Sequence, residues 1–95
     1  MADLPRGKGR ITIELLGDLG SAYGLELVEK SKGALKRGTV YVTLVRLQES
    51  GFVVSKLVAP PQGQGGPPRR TFSLTGLGQR AYDFYIGSEA LLHAV

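Results

Sequence analysis

The sequence contains no cysteine and no tryptophan, and its single histidine lies close to the last residue. Without cysteine there is neither a disulfide framework nor a thiolate metal site, and one histidine cannot build a cluster of metal ligands. No apolar run approaches the roughly 20 residues of a membrane span, and the first ten residues lack the apolar stretch of a signal peptide. These absences exclude zinc fingers and predict a cytoplasmic protein without a metal or another cofactor.

Acidic residues are also scarce, with eight Asp and Glu against twelve Lys and Arg, which gives a net charge of +4 and a pI near 9.7. This excess suits a polyanionic partner. The apolar content of 42% is that of a folded domain rather than a disordered chain. A chain of 95 residues forms one domain with a small core, so we expect part of its stability to come from a partner chain.

Residues 1–10 are basic and rich in glycine and proline, with Arg6, Lys8 and Arg10 close together. This composition predicts a flexible N-terminal arm. The arm is either a frayed terminus or a contact for phosphate.

Two helices are predicted next. From Ile11 the apolar residues recur at helical spacing, and Gly17 fits the small residue of a tightly packed helix. Ser21 then precedes a second helical segment, residues 22–30, as its N-cap. Gly33 supplies a left-handed stop.

A third helix is predicted from Val40, Leu44 and Leu47, which form one apolar stripe that ends before Gly51. Beyond it the residues become β-branched and aromatic, and two segments predict paired strands. The segments are residues 52–58 and 70–75, and the Pro- and Gly-rich stretch between them predicts a mobile loop.

Three short helices followed by a two-stranded hairpin and a C-terminal helix predict an α+β, mostly α fold, the winged helix-turn-helix. We assign residues 11–75 to a DNA-binding domain of this type. In such a domain the third helix puts its apolar stripe into the core and its other face into the major groove, which is about 12 Å wide. Lys36 and Arg37 precede the positive end of that helix, where phosphate is attracted.

The outer face of the third helix offers hydroxyl groups for phosphates or base edges, a valine for a thymine methyl group, and an arginine. Cations beside the hairpin loop lie where a wing contacts the minor groove or the backbone. The candidate DNA-binding residues are Lys36, Arg37, Gly38, Thr39, Tyr41, Val42, Thr43, Arg46, Lys56, Arg69 and Arg70.

Each of these assignments has a structural alternative. Thr39 can simply begin the helix, and Tyr41 can be a half-buried packing residue. Arg46 can pair with Glu49 or Glu29 instead of DNA. The hairpin cations can be solvated.

A fourth helix is predicted from Thr75, its N-cap, to the end of the chain. Its apolar and small residues are spaced alternately by four and three, the rhythm of a coiled-coil seam, and its last leucines have nothing in a small core to cover. We therefore assign residues 76–95 to a dimerisation helix of a homodimer. Its predicted interface residues are Leu77, Ala81, Phe84, Ser88, Leu91 and Val95.

Three blocks of the sequence resemble the PadR family of transcriptional regulators. They are Y-G-L-E-L at 23–27, G-T-V-Y-V-T-L-V-R-L-Q-E-S-G-F-V at 38–53, and R-T-F-S-L-T-G-L-G at 70–78. The resemblance implies a repressor that dimerises through C-terminal helices and binds a roughly palindromic operator, with Thr39, Tyr41 and the wing cations at the DNA. It also implies that Gly24 allows close packing between the first two helices.

The sequence departs from the family pattern at two places. Lys36 and Arg37 stand where a small residue and proline are more usual, and one helix follows the wing where many members carry several. Some members bind planar aromatic compounds between the dimer's helices. Here an aromatic clamp could come only from Tyr82, Phe84 and Tyr85, so a small-molecule effector finds little support.

The sequence therefore predicts a sequence-specific regulator that binds double-stranded DNA. Catalysis is not expected, because the carboxylates are scattered and no nucleophile has a histidine base nearby. The alternative is a winged-helix module for protein interaction or dimerisation that does not bind DNA. The cations concentrated before the third helix and at the wing favour DNA.

Overall fold

The computed structural model of the protein describes residues 3–60 and 62–93, with side chains up to Ser88 in the last helix. Four helices and three strands follow one another along the chain, which confirms the predicted α+β, mostly α fold. The elements are α1 (Lys8–Leu19), β1 (Ser21–Tyr23), α2 (Gly24–Lys30), α3 (Val40–Glu49), β2 (Val53–Val58), β3 (Arg69–Leu74) and α4 (Gly76–His93).

The sheet has three strands in the order β1-β3-β2, all antiparallel. The prediction of a two-stranded wing was therefore incomplete, and Ser21 is not the N-cap of α2. It begins β1 instead, where Ala22 pairs with Phe72 of the central strand. Helix α2 begins at Gly24, and the Tyr23 N–H donates to the Glu26 carboxylate over 2.9 Å.

The core lies between the helices and the inner face of this sheet. Its members are apolar residues from every element, each at most 4% exposed: Ile13, Leu16, Ala22, Leu27, Leu35, Val40, Leu44, Leu47, Phe52, Val53, Phe72, Ala81 and Tyr85. Helix α1 begins at Lys8, so the last three residues of the predicted arm are helical. Within the described residues no helix is long and apolar enough to cross a bilayer.

Helix α4 is capped as predicted, because the Thr75 hydroxyl accepts the Gly78 N–H over 3.1 Å. Its predicted dimer seam needs correction. Ala81 is 2% exposed and belongs to the chain's own core, whereas Phe84 is 57% exposed. The spacing of four and three thus mixed an inward residue with outward ones. Of the other seam residues, Leu77 is 38% exposed, Ser88 is half-buried, and the side chains of Leu91 and Val95 lie outside the described residues.

Candidate nucleic-acid interface

Helix α3 divides as its sequence predicts. Val40, Leu44 and Leu47 are buried, while Tyr41 and Val42 are 49% and 51% exposed. The exposed face also includes Val45 and Arg46. Val45 was not among the residues predicted from the sequence, although its position on the helical wheel, opposite the stripe, was a sufficient signal.

The segment before α3 presents its backbone and its cations to solvent. Lys36, Arg37, Gly38 and Thr39 are all exposed. The N–H groups of Thr39 and Val40 both point to the Lys36 carbonyl, at 3.1 and 2.9 Å, which makes a tight turn into the helix. Thr39 begins the helix as its cap residue, but within the described chain its hydroxyl makes no capping bond. That hydroxyl is therefore available at the helix entrance.

The two wing arginines are held at the loop end of the hairpin. Arg70 donates to the Ser55 hydroxyl over 2.9 Å, and the Arg69 guanidinium lies 5.4 Å from the centre of the Tyr23 ring. Such a stacked guanidinium keeps its donors at the ring's edge for another acceptor. Lys56 is exposed on the neighbouring strand. The two arginines thus have defined positions, whereas Lys56 is exposed as the solvated alternative expects.

Cations flank the outer face of α3 on two sides. On one side Tyr41, Arg69 and Arg70 line a cleft that also contains Glu26 and Glu29 of α2. The structure thus brings the predicted recognition helix and the predicted wing together. Among the described residues these carboxylates form no salt bridge with the two arginines.

On the other side Thr43 and Arg46 line a second cleft with Arg6 and Lys8 of the N-terminal segment. Sequence reasoning named these two cations but did not place them beside α3, because nothing local fixes the segment's direction. Arg10 lies elsewhere. Its guanidinium pairs with Glu14 at 2.5 Å and lies 4.7 Å from the centre of the Tyr85 ring.

The ion pairs proposed as alternatives for Arg46 do not form. Arg10–Glu14 is the salt bridge found among the described residues, so neither Glu29 nor Glu49 neutralises Arg46. The same holds for Lys36, Arg37 and Lys56 over the described part of the chain. On the side of Arg6, Lys8 and Arg46 the face of α3 carries an excess of positive charge, which attracts a phosphate backbone. On the wing side Arg69 and Arg70 lie beside two carboxylates, so the cleft there has no such excess.

Gly24 makes a close approach that the resemblance did not imply. A Cβ atom at this position would lie 2.6 Å from Cζ of Tyr41. The glycine therefore allows the Tyr41 ring of α3 to pack over the start of α2. Tyr41 is thus both a packing residue and half exposed, and its position depends on this contact.

A third, more apolar cleft lies between residues 3–7 and α4, where Leu4, Phe52 and Leu77 contribute to its walls. Of the three rings considered for an aromatic clamp, Phe84 and Tyr85 line this cleft, with their centres 6.3 Å apart, and Tyr82 does not. Tyr82 packs on Gly17, and its hydroxyl bonds to Asp18. The Tyr85 ring is in the core and only Phe84 is widely exposed.

Comparison with known proteins places these features in a family. The model of the transcriptional regulator PadR-like family matches residues 13–83. No curated protein matches the sequence. A PadR-like transcription factor from Bacteroides fragilis is similar at 30% identity and a TM-score of 0.67, over 90% of this chain and 82% of its own.

Two further structures share the fold. A PadR family transcription regulator from Clostridium difficile superposes with a TM-score of 0.71 at 21% identity, over 93% of both chains. NadR in complex with 4-hydroxyphenylacetate has a TM-score of 0.71 at 23% identity, over 95% of this chain. The present chain spans 58% of the length of NadR. Because the family model covers most of the chain, including α3 and the wing, this protein belongs to the PadR-like family of transcriptional regulators.

Proposed function

We propose that the protein binds duplex DNA sequence-specifically and represses transcription as a homodimer. The observation that carries the proposal is the exposed face of α3, which stands between two groups of cations. The major groove is wide enough to admit a helix such as α3, and the flanking cations would lie near the two phosphate backbones that border the groove.

Within this proposal the residues divide by task. Val42, Thr43 and Arg46 face the base edges from α3, where a valine reads a thymine methyl group and an arginine reads guanine. Lys36, Arg37, Gly38 and Thr39 hold a phosphate at the helix entrance. Lys56, Arg69 and Arg70 hold the backbone beside the wing. Tyr41 donates to a phosphate from its position against Gly24.

The homodimer is proposed from the outward face of α4. Phe84 and Leu77 lie on one side of the helix and are 57% and 38% exposed, whereas Ile86, 42% exposed, lies on the opposite side. Burying large apolar side chains contributes about 1.5–3 kcal/mol each. A twofold pair would present two copies of α3 about one helical turn of DNA apart, roughly 34 Å, which fits a palindrome.

Light scattering after size-exclusion chromatography tests directly whether the protein is a homodimer. A Phe84→Glu variant should shift the mass to that of a monomer, while a Gln79→Glu variant on the same helix should not.

DNA binding is tested by selection from random duplexes at two salt concentrations, followed by sequencing of the retained DNA. We expect an inverted repeat and an affinity that falls steeply with salt, because each neutralised phosphate releases condensed counterions. Arg46→Gln should relax base preference, whereas Lys36→Gln should lower affinity uniformly across sequences. If the wild type retains nothing at low salt, the DNA proposal fails and the winged helix is a protein-interaction module.

A further inference from the structure

The N-terminal segment, residues 3–7, is hydrogen-bonded to α4, which is the last helix of the chain. Tyr85 of α4 is 4% exposed, and its hydroxyl donates to the Pro5 carbonyl over 2.5 Å. The turn after Pro5 closes with a 3.1 Å bond from the Gly9 N–H to the Arg6 carbonyl. Gly7 allows the chain to enter α1 because its φ of +56° is a conformation that favours glycine.

We propose that Tyr85 is a positioning residue for DNA binding, which holds this segment so that Arg6 and Lys8 contact the phosphate backbone beside α3. The inference rests on the DNA binding proposed above and extends it to residues outside the winged helix-turn-helix. It assigns a third phosphate contact, on the side of α3 opposite the wing.

The two clefts around the segment show what the contact with Tyr85 achieves. Both clefts are lined by Asp3, Leu4, Pro5, Arg6 and Phe52. The first is completed by residues of α4 and the second by Thr43, Arg46 and Ser50 of α3 and its end. The segment therefore lies between the two clefts. It is held by α4 on one side, and on the other side Arg6, with Lys8 just after the segment, lies beside α3.

The charges of the second cleft favour an anion. Arg6, Lys8 and Arg46 line it, against the single carboxylate of Asp3. Arg6 and Lys8 are exposed, and neither forms a salt bridge within the described residues. Phosphate oxygens would be their partners, since a row of positive side chains beside an inserted helix meets the DNA backbone.

Packing and chemistry both make Tyr85 suited to this task. Its buried ring is covered by the guanidinium of Arg10 in α1 at 4.7 Å, so this cation packs against Tyr85 instead of facing DNA. The Tyr85 hydroxyl is a donor at neutral pH because the ordinary pKa of a phenol is near 10, and burial raises the pKa of Tyr85 further. A segment that is ordered before binding loses less conformational freedom on contact with DNA than a frayed end does.

The test measures affinity for the selected operator as a function of salt. Each substitution removes one phosphate contact from each half-site of the operator. Arg6→Gln should therefore lower the slope of log K against log salt by about 1.8 for the dimer, and the affinity at 0.1 M salt roughly 60-fold. The matched control is Arg80→Gln, which removes the same charge from α4 on the far side of the segment and should leave the slope unchanged. Arg6→Gln with Lys8→Gln should lower the slope by about 3.6.

Tyr85→Phe keeps the ring and removes only the bond to Pro5. It should reduce affinity and slope in the wild-type background and change neither when Arg6 and Lys8 are already glutamine. Pro5→Gly, which loosens the same segment, should behave likewise if Tyr85→Phe proves too unstable to assay; thermal melting identifies that case.

A wild-type slope in the Arg6→Gln, Lys8→Gln variant overturns the inference while the wild type still binds DNA. So does a further loss on adding Tyr85→Phe to that variant, since Tyr85 would then act through something other than the two cations. If the wild type itself does not bind, the proposed function falls and this inference falls with it.

Discussion

The crossing of α1 and α4 depends on the absence of a side chain at Gly17. A Cβ atom there would overlap the Tyr82 ring of α4. The ring is restrained because its hydroxyl donates to Asp18 over 2.5 Å. An alanine at position 17 must therefore displace the ring or push the helices apart.

The net effect of Gly17→Ala is the difference between two opposed terms. Alanine is about 1 kcal/mol better than glycine inside a helix. Overpacking a well-packed contact costs about 1–3 kcal/mol, and losing the Tyr82 bond adds to that cost. We expect a net destabilisation of about 1–2 kcal/mol. In a domain of this size 1 kcal/mol shifts the melting temperature by about 4–8 °C, so a fall of roughly 4–16 °C is predicted.

Two further variants separate the packing term from helix propensity. Gly87→Ala lies in α4 with open space around its Cβ atom, so it should raise the melting temperature by about 4–8 °C. Gly17→Ala should be stabilising by about 1 kcal/mol when Tyr82 has already been replaced by alanine. Calorimetry at one fixed protein concentration measures all of these, because association alters the apparent stability. A stabilising Gly17→Ala in the wild-type background would refute the close approach of the two helices.

Three shorter predictions follow from other contacts. Thr75→Ala should cost about 1–2 kcal/mol in chemical unfolding because it removes the cap of α4, while Thr75→Ser should cost less than half as much. A hydrogen bond to an aspartate raises the pKa of the Tyr82 phenol, and burial raises that of Tyr85. A raised pKa in the folded state gives stability that is complete below the unfolded value near 10 and is lost as pH rises through the folded value. The melting temperature of the wild type should therefore fall more between about pH 9 and pH 11 than that of the Tyr82→Phe, Tyr85→Phe double variant. Equal falls in the two proteins would contradict this prediction. Gly24→Ala should weaken DNA binding by displacing the Tyr41 ring, and a Tyr41→Ala background should abolish that effect in the same binding assay.

The sequence predicted the elements whose patterns are local. The apolar stripe of α3 was visible from Val40, Leu44 and Leu47 alone, and the cap of α4 from Thr75. It could not predict β1, because three residues are too few for a periodic pattern. Ser21–Tyr23 is a strand only because β3, some fifty residues later, pairs with it.

The face that α4 turns inward was not predicted. The coiled-coil spacing assigned Ala81 to the dimer seam together with Phe84, although Ala81 and Tyr85 lie in the core of the chain and Phe84 is exposed. Gly78 carried the deciding signal, since a Cβ atom there would overlap the Phe52 carbonyl oxygen. A glycine that admits a backbone this closely marks the inward face, and Ala81 and Tyr85 follow it at helical spacing of three and four.

Helix α4 is thus fixed at three separate points: to the start of β2 through Gly78, to α1 through Gly17 and Tyr82, and to the N-terminal segment through Tyr85. Its 18 residues span about 27 Å at 1.5 Å per residue. A tilt of about 10° at its base would move the far end by about 5 Å, which exceeds the 3.4 Å step between base pairs. In the proposed homodimer such a tilt would move one copy of α3 out of register with its half-site. The close glycine contacts at the base of α4 therefore bear on operator spacing as well as on stability, although none of them touches DNA.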